Sequence, residues 1–464
     1  MTALQRARII LVLTVSMATA RTASAQGQPA SPFLGGVPSG TATGETLSLS
    51  IADVISRALD RNLGVLKAAE QVERSRALRL QAQSDFLPNI DGRVAETRQQ
   101  VNLKAFGFPL PAGFPALVGP FNVFDARLYL TQTLFDAQSL NDLRAERHSV
   151  AAAEYSQQRA RDIVVLVAAD MYLQALAGSA RVDAALAQVT TANAMYTQAV
   201  DLKQSGLIPG IDVLRAQVQL NTERQRATAA RNDFEKSRLQ LARLIGLPVG
   251  QAFRLSDALP TVPTPDMPIE EALDRAYKTR PDYQAALSRV EAAEASRRAS
   301  AGERLPTASI NADFGDIGLS PSDSHSTFSV VGAVKIPIFG GDTAGKIAEA
   351  DADVHSRRAE AEDLRASIYY DVRTAYLDLQ ATREQLQVAT EGRDLAAQQL
   401  TQARDRFVAG IADNIEVVQA QDSVARANEQ YIAALYGYNL AKGLLANGMG
   451  GAEATLRQLL GGTR

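Results

Sequence analysis

Hydrophobic positions follow two different periods along this chain, and the changes between them define its elements. Over about 137–203, and again over about 343–407, apolar side chains recur with helical spacing and no proline interrupts them. At 1.5 Å per residue, about 65 helical residues extend about 100 Å. Shorter helical patterns cover about 211–245 and 415–446. The chain is therefore predicted to be mainly α-helical and elongated.

Between the helices the apolar period shortens to two, which is typical of half-buried β-strands. Apolar and polar side chains alternate over 308–314, and over most of 124–134. The alternation predicts two β-hairpins, with strands at 89–98, 122–135, 307–316 and 326–338. About ten residues suit a tilted strand that crosses a bilayer, although two surface hairpins on a soluble core would alternate in the same way.

Four strands from one chain cannot close a barrel, and an open sheet edge is not tolerated in hydrocarbon. If the strands span a membrane, several chains must share one barrel. The membrane hypothesis therefore requires an oligomer.

The chain also repeats itself. Residues 206–217 align with 410–421 without a gap, and residues 51–88 align in the same way with 269–306. Each of the first pair starts at a glycine, where a helix can end in left-handed dihedrals before a second helix begins. The fold prediction is a tandem duplication of a long helical hairpin, each copy carrying a small β-hairpin.

The segment boundaries follow from these patterns. The predicted segments are a signal peptide over 1–25, a flexible lead over 26–48, a first repeat over 49–245, a proline-rich connector over 246–268, a second repeat over 269–450 and a loosely held tail over 451–464. The two helical hairpins have their tips at about 204–212 and 408–416.

The first 25 residues have the pattern of a secretory signal. Arg6 and Arg8 precede an apolar stretch over 9–20, and Ala23 and Ala25 supply the small residues of a cleavage site. A membrane anchor is the alternative, but this stretch is short and contains polar residues. No later run reaches the roughly 18 apolar residues that a spanning helix needs. We expect export, cleavage after Ala25 and membrane entry without helices.

Composition excludes several classes of function. The chain has 48 Lys and Arg, 51 Asp and Glu, 3 His and no Cys. It has no basic cluster of the kind that nucleic acid binding needs, and no thiol for a disulfide, a metal or a lipid anchor. The histidines are not at metal-ligand spacing, and no phosphate-binding or dinucleotide-binding glycine pattern is present. We expect neither enzymatic activity nor a cofactor.

The order of these features resembles the TolC-like outer-membrane efflux family over about 49–450. Each copy holds a helix, a Leu-Pro dipeptide (87–88 and 305–306), a β-hairpin, a very long helix and a glycine-centred tip. The resemblance implies a homotrimer whose chains share a twelve-stranded barrel in the outer membrane of a Gram-negative bacterium. A trimeric helical barrel would continue it across the periplasm. An equatorial belt, made of residues 246–280 and both chain ends, would surround its middle.

The resemblance further implies that the tips face the inner membrane and dock a periplasmic adaptor, which joins the duct to an inner-membrane transporter. The positions that match the adaptor-contacting turn are Gly206, Leu207, Asp212, Gly410 and Ile411. The alternative is that the glycines only end their helices.

Glu416 and Gln419 match the positions that narrow the closed entrance in this family. Gln419 departs from the usual acid, and Asp413 could supply the missing charge. On a threefold axis one carboxylate per chain already makes a ring of like charges that attracts cations. Alternatively, Asp212 and Glu416 only stabilise the N-termini of their helices.

The predicted function is a passive exit duct that receives small molecules from an inner-membrane pump and a periplasmic adaptor. A duct for type I protein secretion fits nearly as well, because the duct itself need not select cargo. A periplasmic coiled-coil scaffold would explain the helices and the leader, but it would leave the β-hairpins without a role.

Overall fold

The computed structural model describes residues 31–107, 113–262, 267–412 and 414–453. The α-helices of these residues are α1 (Ile51–Arg61), α2 (Leu63–Ser84), α3 (Ala137–Gln204), α4 (Gly210–Leu244), α5 (Ile269–Thr279), α6 (Pro281–Gly302), α7 (Thr343–Val408) and α8 (Asn414–Gly448). The first four contain 11, 22, 68 and 35 residues, and the last four contain 11, 22, 66 and 35. The predicted duplication of long helical hairpins is confirmed.

Local side chains explain where the short helices begin. Ser50 Oγ accepts a hydrogen bond from the Asp53 N–H at 3.2 Å, and the Asp53 carboxylate accepts one from the Ser50 N–H at 3.0 Å. This reciprocal capping box starts α1. Asn62 then ends α1 and caps α2, whereas Pro281 opens α6 in the second copy. The boundary between the two short helices is thus made by Asn62 in the first copy and by Pro281 in the second.

The strands are β1 (Leu47–Leu49), β2 (Asn89–Asn102), β3 (Leu117–Phe135), β4 (Phe253–Leu255), β5 (Thr307–Gly318) and β6 (Ser324–Lys335). The four long strands form one antiparallel sheet in the order β2-β3-β5-β6. The sixth strand ends three residues before the predicted 338, although the alternation continues. It ends there because its partner begins at Thr307, opposite Lys335, and the preceding Pro306 has no N–H to extend the ladder.

The strand register gives the sheet one apolar and one polar face. The adjacent residues Ile90, Leu130, Ala312 and Val330 form one apolar row, and Leu128, Phe314 and Phe328 form the next. Phe328 is 78% exposed in a single chain. The row on the opposite face consists of Asp91, Tyr129, Asp313 and Ser329. The sheet therefore has one side suited to lipid and one suited to water.

Strands β3 and β5 join the two copies of the duplication. Arg127 on β3 forms an ion pair with Asp125 on its own strand and another, at 3.2 Å, with Asp313 on β5. The guanidinium thus connects the two β-hairpins across their shared boundary on the polar face.

The prediction of a flexible lead is wrong for its described part, residues 31–48. The Gly36 N–H donates to the Arg243 carbonyl at 2.8 Å, and the Val37 N–H donates to the Arg61 carbonyl at 2.9 Å. A Cβ on Gly36 would lie 2.5 Å from a main-chain oxygen of α4, so only glycine fits here. Further on, β1 pairs in parallel with β4 of the connector. The lead is held by main-chain partners far away in the sequence, which no local pattern reveals.

The tail also departs from its prediction where it is described. Ala452 is fully buried, and Glu453 pairs with Arg161 at 3.0 Å. The first residues of the tail are therefore fixed on α3 rather than loosely held; residues 454–464 lie outside the described part.

The expectation that no later segment has the length and apolarity of a spanning helix also needs correction. Within the described residues, α3 contains one 18-residue window that meets this criterion, and half of that window is buried inside the chain. A buried core helix shows the same composition, and here the window includes Val164, Val165 and Leu173, which belong to the apolar core beside α1.

Candidate functional site at the helical hairpin tips

Both tips are helix ends made by a glycine in a left-handed conformation. The φ angles are +73° at Gly206 and +69° at Gly410. In each tip the glycine N–H bonds back to the carbonyl three residues earlier at 3.0 Å, and the next N–H bonds to the carbonyl five residues earlier at 2.9 or 3.0 Å. This is the Schellman arrangement. No atom would crowd a Cβ at either glycine, so the dihedral angle alone requires glycine.

The residues that follow the two glycines are apolar and exposed. Leu207 and Ile411 are each 71% exposed. Val408 and Ile211 beside them are also exposed. An apolar group of this kind at the end of a long molecule is suited to contact with another protein.

Asp212 lies in the first turn of α4 and is mostly buried. Its carboxylate accepts a hydrogen bond from Arg215 Nη1 at 2.9 Å on the same helix. Its main-chain oxygen accepts a hydrogen bond from Asn414 Nδ2 at 3.1 Å. The carboxylate lies in the first turn of α4, where its negative charge stabilises the helix dipole. The main-chain oxygen connects the first tip to the second through Asn414.

Glu416 lies in the first turn of α8 and faces the end of α7. Its Oε1 is 3.4 Å from Arg406 Nε, and both side chains are partly exposed. Gln419 is exposed one turn further along α8. Asp413 lies outside the described residues, as do Ala23 and Ala25 of the predicted cleavage site. The structure thus places a carboxylate and its cationic partner immediately beside the second tip.

Sequence reasoning missed Arg406 and Asn414. Arg406 could have been found by folding the chain back at Gly410, which brings residues a few positions before the turn opposite those a few positions after it. Asn414 gives no such signal, because its partner belongs to the other hairpin. Its burial at 3% exposure is a result of tertiary packing.

The tips offer charge and contact surface rather than reactive groups. In the part of the chain that the structure describes, no three His, Asp or Glu side chains come together in a way that could hold a metal ion.

Comparison with known proteins gives consistent results. The family profile described as outer membrane efflux protein matches residues 54–247 and 272–462, one stretch for each copy of the duplication. The pyoverdine export outer membrane protein OpmQ of Pseudomonas putida is 22% identical over 399 residues, which are 82% of each chain. The outer membrane protein TolC of Escherichia coli is 23% identical over 335 residues, 68% of this chain and 67% of TolC.

A solved structure shows the same fold. The CmeC outer membrane channel of Campylobacter jejuni superimposes with a TM-score of 0.73 at 16% identity, over 89% of this chain and 90% of CmeC. With two profile matches that together span most of the sequence, and with this architecture, the chain belongs to the outer membrane efflux protein family and serves as an exit duct for efflux in the outer membrane.

Proposed function

We propose that the chain works as a homotrimer, that its tips contact a periplasmic adaptor coupled to an inner-membrane transporter, and that Glu416 narrows the periplasmic entrance. The observation that carries the proposal is the position of the Glu416 carboxylate in the first turn of α8, directly after an exposed apolar turn. The cargo would be small molecules; OpmQ, a relative of similar length, is named for the export of one.

The edges of the sheet support an assembly of several chains. In the described residues, β2 and β6 each have a strand partner on one side only. Open strand edges are not tolerated in the hydrocarbon of a membrane. Three chains placed edge to edge would pair β6 of each with β2 of the next and close the barrel.

Glu416 would act through charge. In a trimer its three carboxylates would lie near the axis, within the Debye length of about 8 Å at physiological salt. They would attract cations and repel one another. Arg406 lies within the same hairpin and offsets part of each charge. When an adaptor draws the tips outward, Glu416 and Arg406 of each chain move together, and the repulsion between the three carboxylates decreases.

Planar-bilayer conductance of the purified protein, with its mass in detergent measured first, tests this proposal. We expect a trimer with a small, cation-selective conductance. Glu416→Gln should weaken cation selectivity and increase conductance, and Arg406→Gln should strengthen selectivity. Glu362→Gln serves as the matched control, since Glu362 is an exposed glutamate on α7 remote from the tips. A monomer, or unchanged selectivity in Glu416→Gln, would contradict the proposal.

Adaptor contact needs a separate test. Leu207→Asp and Ile411→Asp should each weaken binding to the adaptor, because a charge would be buried in an apolar contact. Val249→Asp is the control, since Val249 is 88% exposed in the connector, remote from the tips. Equal adaptor binding by all three variants would show that the tips are not part of the adaptor interface.

A further inference from the structure

A cavity of about 410 Å³ separates parts of the two helical hairpins on the equatorial side of the tips. Helices α3, α4 and α8 form its walls, and four small residues contribute to them: Ala184, Ala185, Ala230 and Ala425. Small side chains leave the space between these helices unfilled. The two hairpins are therefore poorly packed at this level.

On either side of the cavity the two hairpins are in direct contact. Toward the tips, Met195 of α3 packs in an apolar cluster with Phe407 and Val424 of the second hairpin. Toward the equator, Tyr436 Oη donates a hydrogen bond of 2.6 Å to Asp170 on α3. At the cavity itself, apolar packing does not determine the distance between the hairpins.

Ion pairs cross the cavity level instead. Arg226 Nη1 on α4 lies 2.7 Å from Glu223 Oε1 on its own helix and 3.2 Å from Asp422 Oδ1 on α8. Arg181 on α3 pairs with Glu429 on α8 at 2.8 Å. Both inter-hairpin pairs are partly exposed and worth little by themselves, since the Arg226 and Asp422 side chains are 47% and 42% exposed. Arg226 differs from Arg181 because it also holds Glu223, whose side chain is only 3% exposed.

We propose that Arg226 is a positioning residue that sets the distance between α8 and the first hairpin by bridging Glu223 and Asp422. Its link to the entrance rests on the proposed function, because α8 also carries Glu416. Burial raises the pKa of Glu223 and the charge of Arg226 opposes that shift. Without the guanidinium, the Glu223 carboxylate would lose its cation and keep only the hydrogen bond from Gln219 Nε2, at 2.9 Å, and the contact between α4 and Asp422 would disappear.

A glycine inside α8 marks the place where we expect the helix to bend when that bridge is lost. Gly437 lies inside α8, and a Cβ there would meet only Thr382 Cγ2, at 3.9 Å, so packing does not require a glycine. A helix-interior glycine weakens the helix. Just beyond it, Asn439 Nδ2 donates to the Pro260 carbonyl at 2.8 Å and fastens α8 to the connector. On the tip side of Gly437, α8 is held to the first hairpin by the ion pairs of Arg226 and Arg181 and by the apolar cluster that contains Val424.

Spin-label distances test the proposal directly. The chain contains no Cys, so Gln225→Cys on α4 and Gln430→Cys on α8, both exposed, can be labelled specifically. The labelled protein is assembled with excess unlabelled chain, so that distances within one chain dominate. We expect Arg226→Ala to lengthen and broaden the distance distribution, and Arg226→Lys, which keeps a cation, to restore it.

Two further variants make the test specific. Asp422→Asn leaves the Arg226–Glu223 pair intact and should still broaden the distribution. Arg357→Ala is the matched control, because Arg357 also contacts two carboxylates, Asp353 and Glu360, but both are on its own helix. If the distributions of Arg226→Ala and Asp422→Asn superimpose on that of the parent protein, the proposal is wrong, even if Arg226→Ala alone folds poorly.

The consequence for conduction is measured separately. We expect Arg226→Ala to raise the conducting fraction up to about fivefold, because α8 would lose an exposed ion pair to the first hairpin. If the distances shift while Glu416→Gln has no effect on conductance, the bridge is real and the entrance assignment fails. If Glu416→Gln behaves as expected while the distances stay unchanged, the bridge is excluded and the entrance assignment stands.

Discussion

Asn414, the first residue of α8, donates a hydrogen bond from Nδ2 to the main-chain oxygen of Asp212 in the first turn of α4, at 3.1 Å. Asn414 is 3% exposed, so water does not compete for this bond. The two residues begin the returning helices of the two copies of the duplication. This bond is a direct polar link between the tips within one chain.

Loss of this link should loosen the tips. Asn414→Ala removes one of the hydrogen bonds to the Asp212 carbonyl, which keeps its bond within α4, so the expected cost is that of a single hydrogen bond, about 0.5–1.5 kcal/mol. We expect a higher single-channel conductance in bilayers. Asn193→Ala, at an exposed position on α3, should conduct like the parent protein. Parent-like conductance in Asn414→Ala would show that the link does not restrain the tips.

Two glycines of the second hairpin should respond to alanine in opposite directions. Gly410 has φ +69°, where a Cβ is strained by about 1–2 kcal/mol, so Gly410→Ala should lower the free energy of unfolding. Gly392 lies inside α7 with nothing near its Cβ position, and Gly392→Ala should raise it by about 0.5–1 kcal/mol. Chemical denaturation in detergent measures both. A change of the same sign at both sites would contradict the left-handed turn.

Neighbouring residues on β6 should differ sharply in their tolerance of charge. Phe328 lies on the apolar face beside Phe314, and Ser329 lies on the polar face beside Asp313. Phe328→Arg should cost up to about 2–4 kcal/mol of folding free energy in a bilayer, whereas Ser329→Arg should cost little. Unfolding from lipid vesicles in denaturant gives both values. Equal losses would mean that the apolar face does not contact lipid.

Acid should weaken the equatorial contact between α6 and α7. Arg280 contacts Asp282 at 2.7 Å and Asp371 at 3.0 Å, and its side chain is only 4% exposed. Burial alone would raise the pKa of Asp282, but the hydrogen bonds and charge of Arg280 outweigh it and bring the pKa below its ordinary value of 3.8. The pair therefore contributes stability above pH 3.8, and that contribution is lost as the pH falls through the lower folded-state pKa.

Asp282→Asn should lose this contribution at neutral pH, by about 1.5–3 kcal/mol because Arg280 keeps Asp371 as a partner, and its unfolding midpoint should depend less on acid than that of the parent protein. Asp274→Asn is the control, since Asp274 pairs with Lys278 at the surface. Denaturant titrations between neutral pH and about pH 3 compare the three proteins. An unchanged acid dependence in Asp282→Asn would exclude this ion pair as its source.

Much of the fold and part of the site could be predicted because they depend on local properties. The helical period over 343–407 and the alternation over 308–314 each reflect one element and one buried face. The glycines at 206 and 410 mark turns that need left-handed dihedrals. The position of Glu416 after its turn followed from the repeat. Its pairing with Arg406 did not follow from the repeat, because the two side chains meet only when α7 and α8 fold back on each other.

The sequence by itself therefore determined the long helices and the four long strands, their duplication, the turns and the two faces of the strands. Only the tertiary structure decided which distant elements meet: Gly36 between the helix ends, Arg127 with Asp313 across the two β-hairpins, and Arg226 with Asp422 across the cavity. The physical reason is that a period identifies the face an element buries. It does not specify which partner covers that face, or at what height along a helix of about 100 Å.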